Sequence, residues 1–139
     1  MTKQEAFDLI FLRFARDVAQ LSTCKRAKVG AVLVTGDQIV SYGYNGAPRG
    51  EPHCIDPCQC VHAEANALIK SISLNMTLYS TTVPCLRCAQ LIVNSNIQRV
   101  LAVHAYRCGD GLDLLKRADI PVDLVGNVGM LGDALEIER

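Results

Sequence analysis

The chain has 139 residues, 50% of them apolar and 20% charged, with 14 basic residues balancing 14 acidic ones. That length predicts one domain, 1–139, with apolar content sufficient for a real core. A net charge of zero excludes a protein that grips a nucleic-acid duplex through a basic face, and the absence of any apolar run near the ~20 residues of a bilayer crossing excludes a helical membrane anchor in this sequence.

Residues 3–21 place Ala6, Leu9, Ile10, Phe14, Val18 and Leu21 at helical spacing. Lys3, Glu5, Asp8, Arg13, Arg16 and Asp17 interrupt the segment, so it reads as an amphipathic helix of a soluble cytoplasmic protein rather than a signal peptide. VGAVLVT (29–35) and QIVSYGY (38–44) are strands, and Gly36-Asp37 between them signals a hairpin. Residues 44–60, with three Pro and two Gly, form a loop. A helix is expected to begin near His62 and run through HAEANALIKSI. MTLYSTT (76–82) is a strand, and Pro84 precedes a second helix, CLRCAQLIVNS, as suits a first helical turn. RVLAVHAY (99–106) is a strand, 109–120 contain a helix, PVDLV (121–125) is a last strand, and a short helix is expected over 131–138. This order predicts an α/β fold of three layers, α/β/α, with a mixed five-stranded sheet between the helices.

The chemistry is concentrated in Cys and His. Seven Cys occur, at 24, 54, 58, 60, 85, 88 and 108, and in a reducing compartment clustered Cys with nearby His point to metal binding. The stretch HCIDPCQCVHAE, 53–64, offers two His, three Cys and a Glu. That is more than one zinc needs: a structural zinc takes four side chains, a catalytic zinc three plus water.

His62 and the pair Cys85/Cys88 each open a predicted helix. Cys85 and Cys88 are three residues apart and share a helix face, at the helix end that favours thiolates. One imidazole and two thiolates leave a fourth position open, the arrangement of a catalytic zinc. Glu64 is not required as a ligand and is placed to carry protons. His62-Ala63-Glu64 with Pro84-Cys85-Leu86-Arg87-Cys88 matches H-x-E with P-C-x-x-C, the signature of zinc nucleobase deaminases.

With Ser22-Thr23-Cys24-Lys25-Arg26 leading into Val29-Gly30-Ala31-Val32, Gly43-Tyr44-Asn45-Gly46, Gly50-Glu51-Pro52-His53-Cys54 and His62-Ala63-Glu64-Ala65-Asn66-Ala67, the sequence resembles the deoxycytidylate (dCMP) deaminases of the cytidine deaminase superfamily over residues 5–126. The family includes phage and bacterial members, and a viral one would act in the host cytoplasm. The resemblance implies hydrolytic deamination of dCMP to dUMP, the precursor of thymidylate. Zinc sits on His62, Cys85 and Cys88, and Glu64 moves protons from water to N3 of cytosine and to the departing amine. It implies base-edge recognition by Ala63, Thr82 and Val83, and substrate contacts from Asn45, Asn66 and Tyr106. Asn45 also suits a turn, and Asn66 also suits a brace for the loop. Lys25, Arg26, Lys28 and Arg49 are the candidates for the 5′-phosphate. Regulation by dCTP and dTTP at a second nucleotide site would use Arg26, Gly43, Tyr44 and Gly46. A homo-oligomer, with a hexamer favoured, is also implied.

Some members of the family carry a second, structural zinc. Here its ligands would be Cys24, Cys54, Cys58 and Cys60, giving two Zn2+ per chain, with His53 the rival to Cys58. The segment between Cys54 and His62 is shorter than in many relatives, which leaves that ligand identity open. Cys108 is left over. Two other readings predict different surfaces. A tRNA adenosine deaminase or other nucleoside or nucleobase deaminase with the same zinc centre is the first, and its RNA-acting form predicts a basic RNA-binding surface, which the neutral charge opposes. A non-catalytic zinc-stabilised nucleotide-binding module has no need of Glu64.

Overall fold

The computed structural model describes residues 2–126, so the helix expected at 131–138 lies outside the described residues. Nine elements occur among the described residues: α1 (Lys3–Ala19), β1 (Gly30–Thr35), β2 (Gln38–Tyr44), α2 (Ala63–Ile69), β3 (Met76–Thr82), α3 (Leu86–Val93), β4 (Ile97–His104), α4 (Asp110–Arg117) and β5 (Val122–Leu124). The five strands form one sheet in the order β2-β1-β3-β4-β5. The β2, β1 and β3 pairings are antiparallel, whereas β3, β4 and β5 run parallel, so the sheet is mixed.

Strand alternation sorts the core into two layers. Ala31 and Leu33 of β1, Met76 and Leu78 of β3 and Val100 of β4 pack with Ala63 and Ala67 of α2, Ala89 and Ile92 of α3 and Leu115 of α4. On the other face, Val32, Val34, Tyr79, Leu101 and Val103 pack with Phe11, Leu12 and Ala15 of α1. Among the described residues one helix therefore covers one face and three cover the other, which is the expected α/β/α layering. Central strands buried on both faces explain why β1 reads as a continuous apolar run rather than an alternating one.

Close packing brings the site's elements together. A side chain at Gly43 would collide with the backbone of Ala63 and Ala67, so β2 lies directly against the first turns of α2. One at Gly111 would collide with the backbone of Pro84 and Cys85, so α4 is seated against the start of α3. The α1 face is pinned by ions. Asp8 accepts hydrogen bonds from Gln4 Nε2 at 2.9 Å, Tyr79 OH at 2.6 Å and Arg99 Nη1 at 3.0 Å on Oδ1, and from Arg99 Nη2 at 2.7 Å on Oδ2. These bonds join α1 to β3 and β4. Among the described residues no helix is long and apolar enough to cross a membrane, and no buried side-chain N or O lacks a hydrogen-bond partner.

Several boundaries differ from expectation. Helix α1 stops at Ala19, two residues early, and α2 stops at Ile69 rather than near Ile72. Strand β4 begins at Ile97 because Ile97 pairs with Met76 before a register shift, and it ends at His104, leaving Tyr106 beyond it.

Candidate active site

His62 and Cys85 occupy the N-cap positions of α2 and α3, in extended backbone conformations, and neither side chain makes a capping hydrogen bond. Both can therefore point sideways from their helix ends, where they meet. His62 Nδ1 lies 3.3 Å from Cys85 Sγ and 3.4 Å from Cys88 Sγ. Donors on a tetrahedral zinc, with Zn–N about 2.05 Å and Zn–S about 2.3 Å, are separated by about 3.6 Å. Both His–Cys distances are within a few tenths of an ångström of that value, and all three atoms lie within 4.8 Å of one another.

A second cluster consists of cysteines alone. Cys24, Cys54, Cys58 and Cys60 present four sulfurs that, like the His62 group, lie within 4.8 Å of one another. Cys54 Sγ is 3.8 Å from both Cys24 and Cys58, and Cys24 is 3.9 Å from Cys58. A disulfide would bring two sulfurs to about 2.05 Å, whereas the edge of a Zn–S tetrahedron is about 3.8 Å. Lys25 N–H also donates to Cys54 Sγ at 3.2 Å, the kind of outer hydrogen bond that orients a thiolate ligand. His53 lies apart, its Nδ1 3.3 Å from Thr23 Oγ1. Cys108 is exposed.

The electrostatics of the two clusters are those of groups sharing thiolates. Cys85 is driven down to about 3 by hydrogen bonds from Cys88 and His62. Cys88 is pushed up, first by its bond to the Cys85 thiolate and then by burial. His62 is raised, chiefly by its bond to Cys85. In the other cluster burial works to raise Cys24, but hydrogen bonds from the Ala27 and Arg26 backbone and from Cys60 and Cys54 bring it down to about 7.

Glu64 stands in the first turn of α2 and is 4% exposed. Burial raises its carboxyl above the ordinary value, against the opposing pull of Cys88, Ser80 and His62. Ser80 Oγ donates to Glu64 Oε1 at 3.1 Å. Glu64, His62 and Cys85 line a cavity of about 390 Å³, a size suited to a small ligand.

Ala63, Thr82, Val83, Asn45 and Tyr106 line the same cavity. Asn45 also holds the backbone in place. Its Oδ1 accepts from Val29 N–H at 2.8 Å and its Nδ2 donates to Ala27 O at 2.7 Å, fixing the chain that leads into β1. Asn66 points elsewhere, donating to Tyr44 O at 2.9 Å and Val61 O at 3.5 Å, and does not line the cavity. Of the four basic candidates Arg26 lines it, whereas Lys25, Lys28 and Arg49 do not. Gly43, Tyr44 and Gly46 lie outside its wall; Gly46 is bridged to Val61 by backbone bonds of 3.2 and 2.7 Å. That bridge clamps the one residue between Cys60 and His62. The wall also contains Cys24, Cys58 and Cys60, so the two sulfur clusters face one cavity.

Residues 5–104 match the family described as the cytidine and deoxycytidylate deaminase zinc-binding region. The chain belongs to this family. A deoxycytidylate deaminase of Mycobacterium phage D29 is 38% identical, over 68% of this chain and 92% of its own. The deoxycytidylate deaminase of Saccharomyces cerevisiae is 35% identical, over 84% of this chain but 44% of its own, so the chain spans less than half the length of that relative. The fold is similar to the crystal structure of the dCMP deaminase of cyanophage S-TIM5 in complex with dCMP and dUMP: TM-score 0.81, 30% identity, 90% of this chain and 99% of that one.

Two features of the site escaped the sequence. Arg107 lines the cavity but belongs to no recognisable motif; its only signal is its place just past the strand that ends at His104. Ser80 bonds Glu64 from β3, and its signal is a polar residue in the row that Met76 and Leu78 otherwise make apolar.

Proposed function

We propose that the protein is a zinc-dependent dCMP deaminase, converting dCMP and water to dUMP and ammonia. One observation carries the reading: a buried Glu64 shares a cavity with His62 and Cys85 and with two arginines, Arg26 and Arg107. Zinc held by His62, Cys85 and Cys88 would supply a Lewis acid and a water of lowered pKa.

The chain's own groups do the rest. Glu64 takes a proton from the attacking water and passes it to N3 of cytosine as the water oxygen bonds C4; it then carries the second water proton to the C4 amine, so that the C–N bond breaks, nitrogen leaves as ammonia rather than as an amide anion, and the oxygen remains as the C4 carbonyl. Ala63 and the Thr82–Val83 backbone recognise the base edge, Asn45 the sugar, and Tyr106 closes over the ligand. Arg26 and Arg107 take the 5′-phosphate, for which a guanidinium is the better-matched cation. Asn66 braces the loop through Tyr44 and Val61.

Cys24, Cys54, Cys58 and Cys60 hold a second, structural zinc, which staples the loop between β2 and α2 and fixes one wall of the cavity. A reducing cytoplasm suits a chain with these thiols free of disulfides. Exposed Ile10 on α1, with Phe14 packed against Tyr42 of β2 at 6.2 Å, favours a homo-oligomer, the hexamer being the form to look for by light scattering. Effector control by dCTP and dTTP, if built into the Arg26 and Gly43–Gly46 region, would read as a change in dCMP saturation on titrating either nucleotide.

Ammonia release from dCMP, dCTP, cytidine and an RNA hairpin tests the substrate. Release from dCMP in preference to the others supports the reading. Release from the hairpin alone would transfer the protein to RNA editing, and release from none would leave a binding module.

A further inference from the structure

The row of β3 that faces α2 and α3 runs Met76, Leu78, Ser80, and the first two belong to the apolar core. An apolar residue would continue the row. Instead a hydroxyl stands there with no exposure at all, a placement that destabilises a fold unless the hydroxyl is hydrogen-bonded. It is bonded twice. Thr82 N–H donates to Ser80 Oγ at 3.4 Å, and Ser80 Oγ donates to Glu64 Oε1 at 3.1 Å. A serine has one proton to give, and here it is spent on the carboxylate, while the incoming Thr82 N–H sets the direction of the hydroxyl.

We infer that Ser80 is the positioning residue for Glu64: it anchors Oε1 to the sheet and so reserves Oε2 for the travelling proton. The inference rests on the proposed deaminase reading and extends it by one residue. A glutamate has three rotatable side-chain bonds, and α2 fixes only its backbone. The bond to β3 removes that freedom across two separate elements, so the carboxylate keeps one geometry as its charge changes. Thr82, which supplies the orienting N–H, itself lines the cavity. The placement of the base-side wall and of the proton carrier are thereby tied to the same two residues of one strand.

The test is steady-state deamination of dCMP by zinc-loaded protein, with metal content measured on each sample. Ser80→Ala is expected to lower kcat about tenfold or more, the scale of a lost hydrogen bond to a charged group, while KM stays within about twofold because substrate binding is untouched. Zinc per chain stays at the wild-type value. Ser80→Thr, which restores the donor, recovers most of the lost kcat. A Ser80→Ala kcat within about twofold of wild type, or a Ser80→Thr enzyme as slow as Ser80→Ala, overturns the positioning role. Wild-type protein that releases ammonia from no substrate overturns the deaminase reading itself, so the two failures are distinguishable.

Discussion

Replacing Asp8 by alanine probes the connection between α1 and the sheet, and its size follows from the contacts. The substitution leaves the Tyr79 hydroxyl, in a side chain 1% exposed, with its acceptor removed; an unmet buried hydroxyl costs about 1–3 kcal/mol. It also removes the carboxylate from Arg99. That side chain is 27% exposed and keeps Asp123 at 3.5 Å, so the solvent-screened loss adds only about 0.5–1 kcal/mol. The total is about 3 kcal/mol. A chain of 139 residues unfolds with an entropy of about 0.29 kcal/mol/K, so Tm falls by about 10 °C. Differential scanning calorimetry reads this directly. Asp8→Ala combined with Tyr79→Phe removes both partners and recovers part of the loss. An Asp8→Ala protein that melts within about 1 °C of wild type refutes the reasoning.

The same carboxylate fixes an acid limb. Burial works to raise the Asp8 carboxyl, but hydrogen bonds from Arg99, Tyr79 and Gln4 outweigh it and hold the group below its ordinary 3.8. A depressed folded-state value means that the contribution is present above the unfolded value, about 3.9. It is lost as pH falls through the folded value. Wild-type stability therefore drops more steeply below about pH 4 than that of Asp8→Ala, and urea titrations at about pH 3 and pH 6 compare the two. Glu64→Gln keeps the size of the side chain and removes its proton chemistry; kcat is expected to fall by about 10²–10⁴ with metal content unchanged, as read by ammonia release and elemental analysis. Cys58→Ser is expected to lower zinc from two ions per chain to one and to weaken dCMP saturation, because Cys58 stands in the cavity wall; retention of two ions would place the second zinc on other ligands. Arg107→Ala is expected to lower kcat/KM for dCMP by about tenfold or more while leaving deoxycytidine almost unaffected, and an equal loss on both substrates would remove the phosphate assignment.

The sequence exposed the groups whose positions are governed by local rules. His62, Cys85 and Cys88 were legible because a loop or strand end followed by a helix puts the capping residue at the helix mouth, and i, i+3 spacing puts two thiols on one face. The sheet and its layers followed from apolar runs and their order. Cys24 was harder: it lies 34 residues from Cys58, and only the hairpin of β1 and β2 returns the chain to it. Contacts across the sheet were not legible. Asp8 reaches Arg99 over 91 residues and Tyr79 over 71, and an acidic residue in an amphipathic helix reads as solvent-facing. Ser80 is 16 residues from Glu64 and looks like ordinary strand polarity until the parity of β3 turns it inward. Asn66, one turn beyond His62, illustrates the converse. The resemblance offered it a substrate contact or a brace for the loop, and the carbonyls of Tyr44 and Val61, brought near by the β2–α2 contact, take its amide.

The most direct test of the central claim is incubation of the zinc-loaded protein with dCMP in 18O-labelled water, followed by mass analysis of the nucleotide and assay of ammonia. Hydrolytic deamination predicts dUMP carrying a single 18O in its base and one ammonia for each dCMP consumed. Recovery of unchanged dCMP, or of a product with no label in the base, would contradict it.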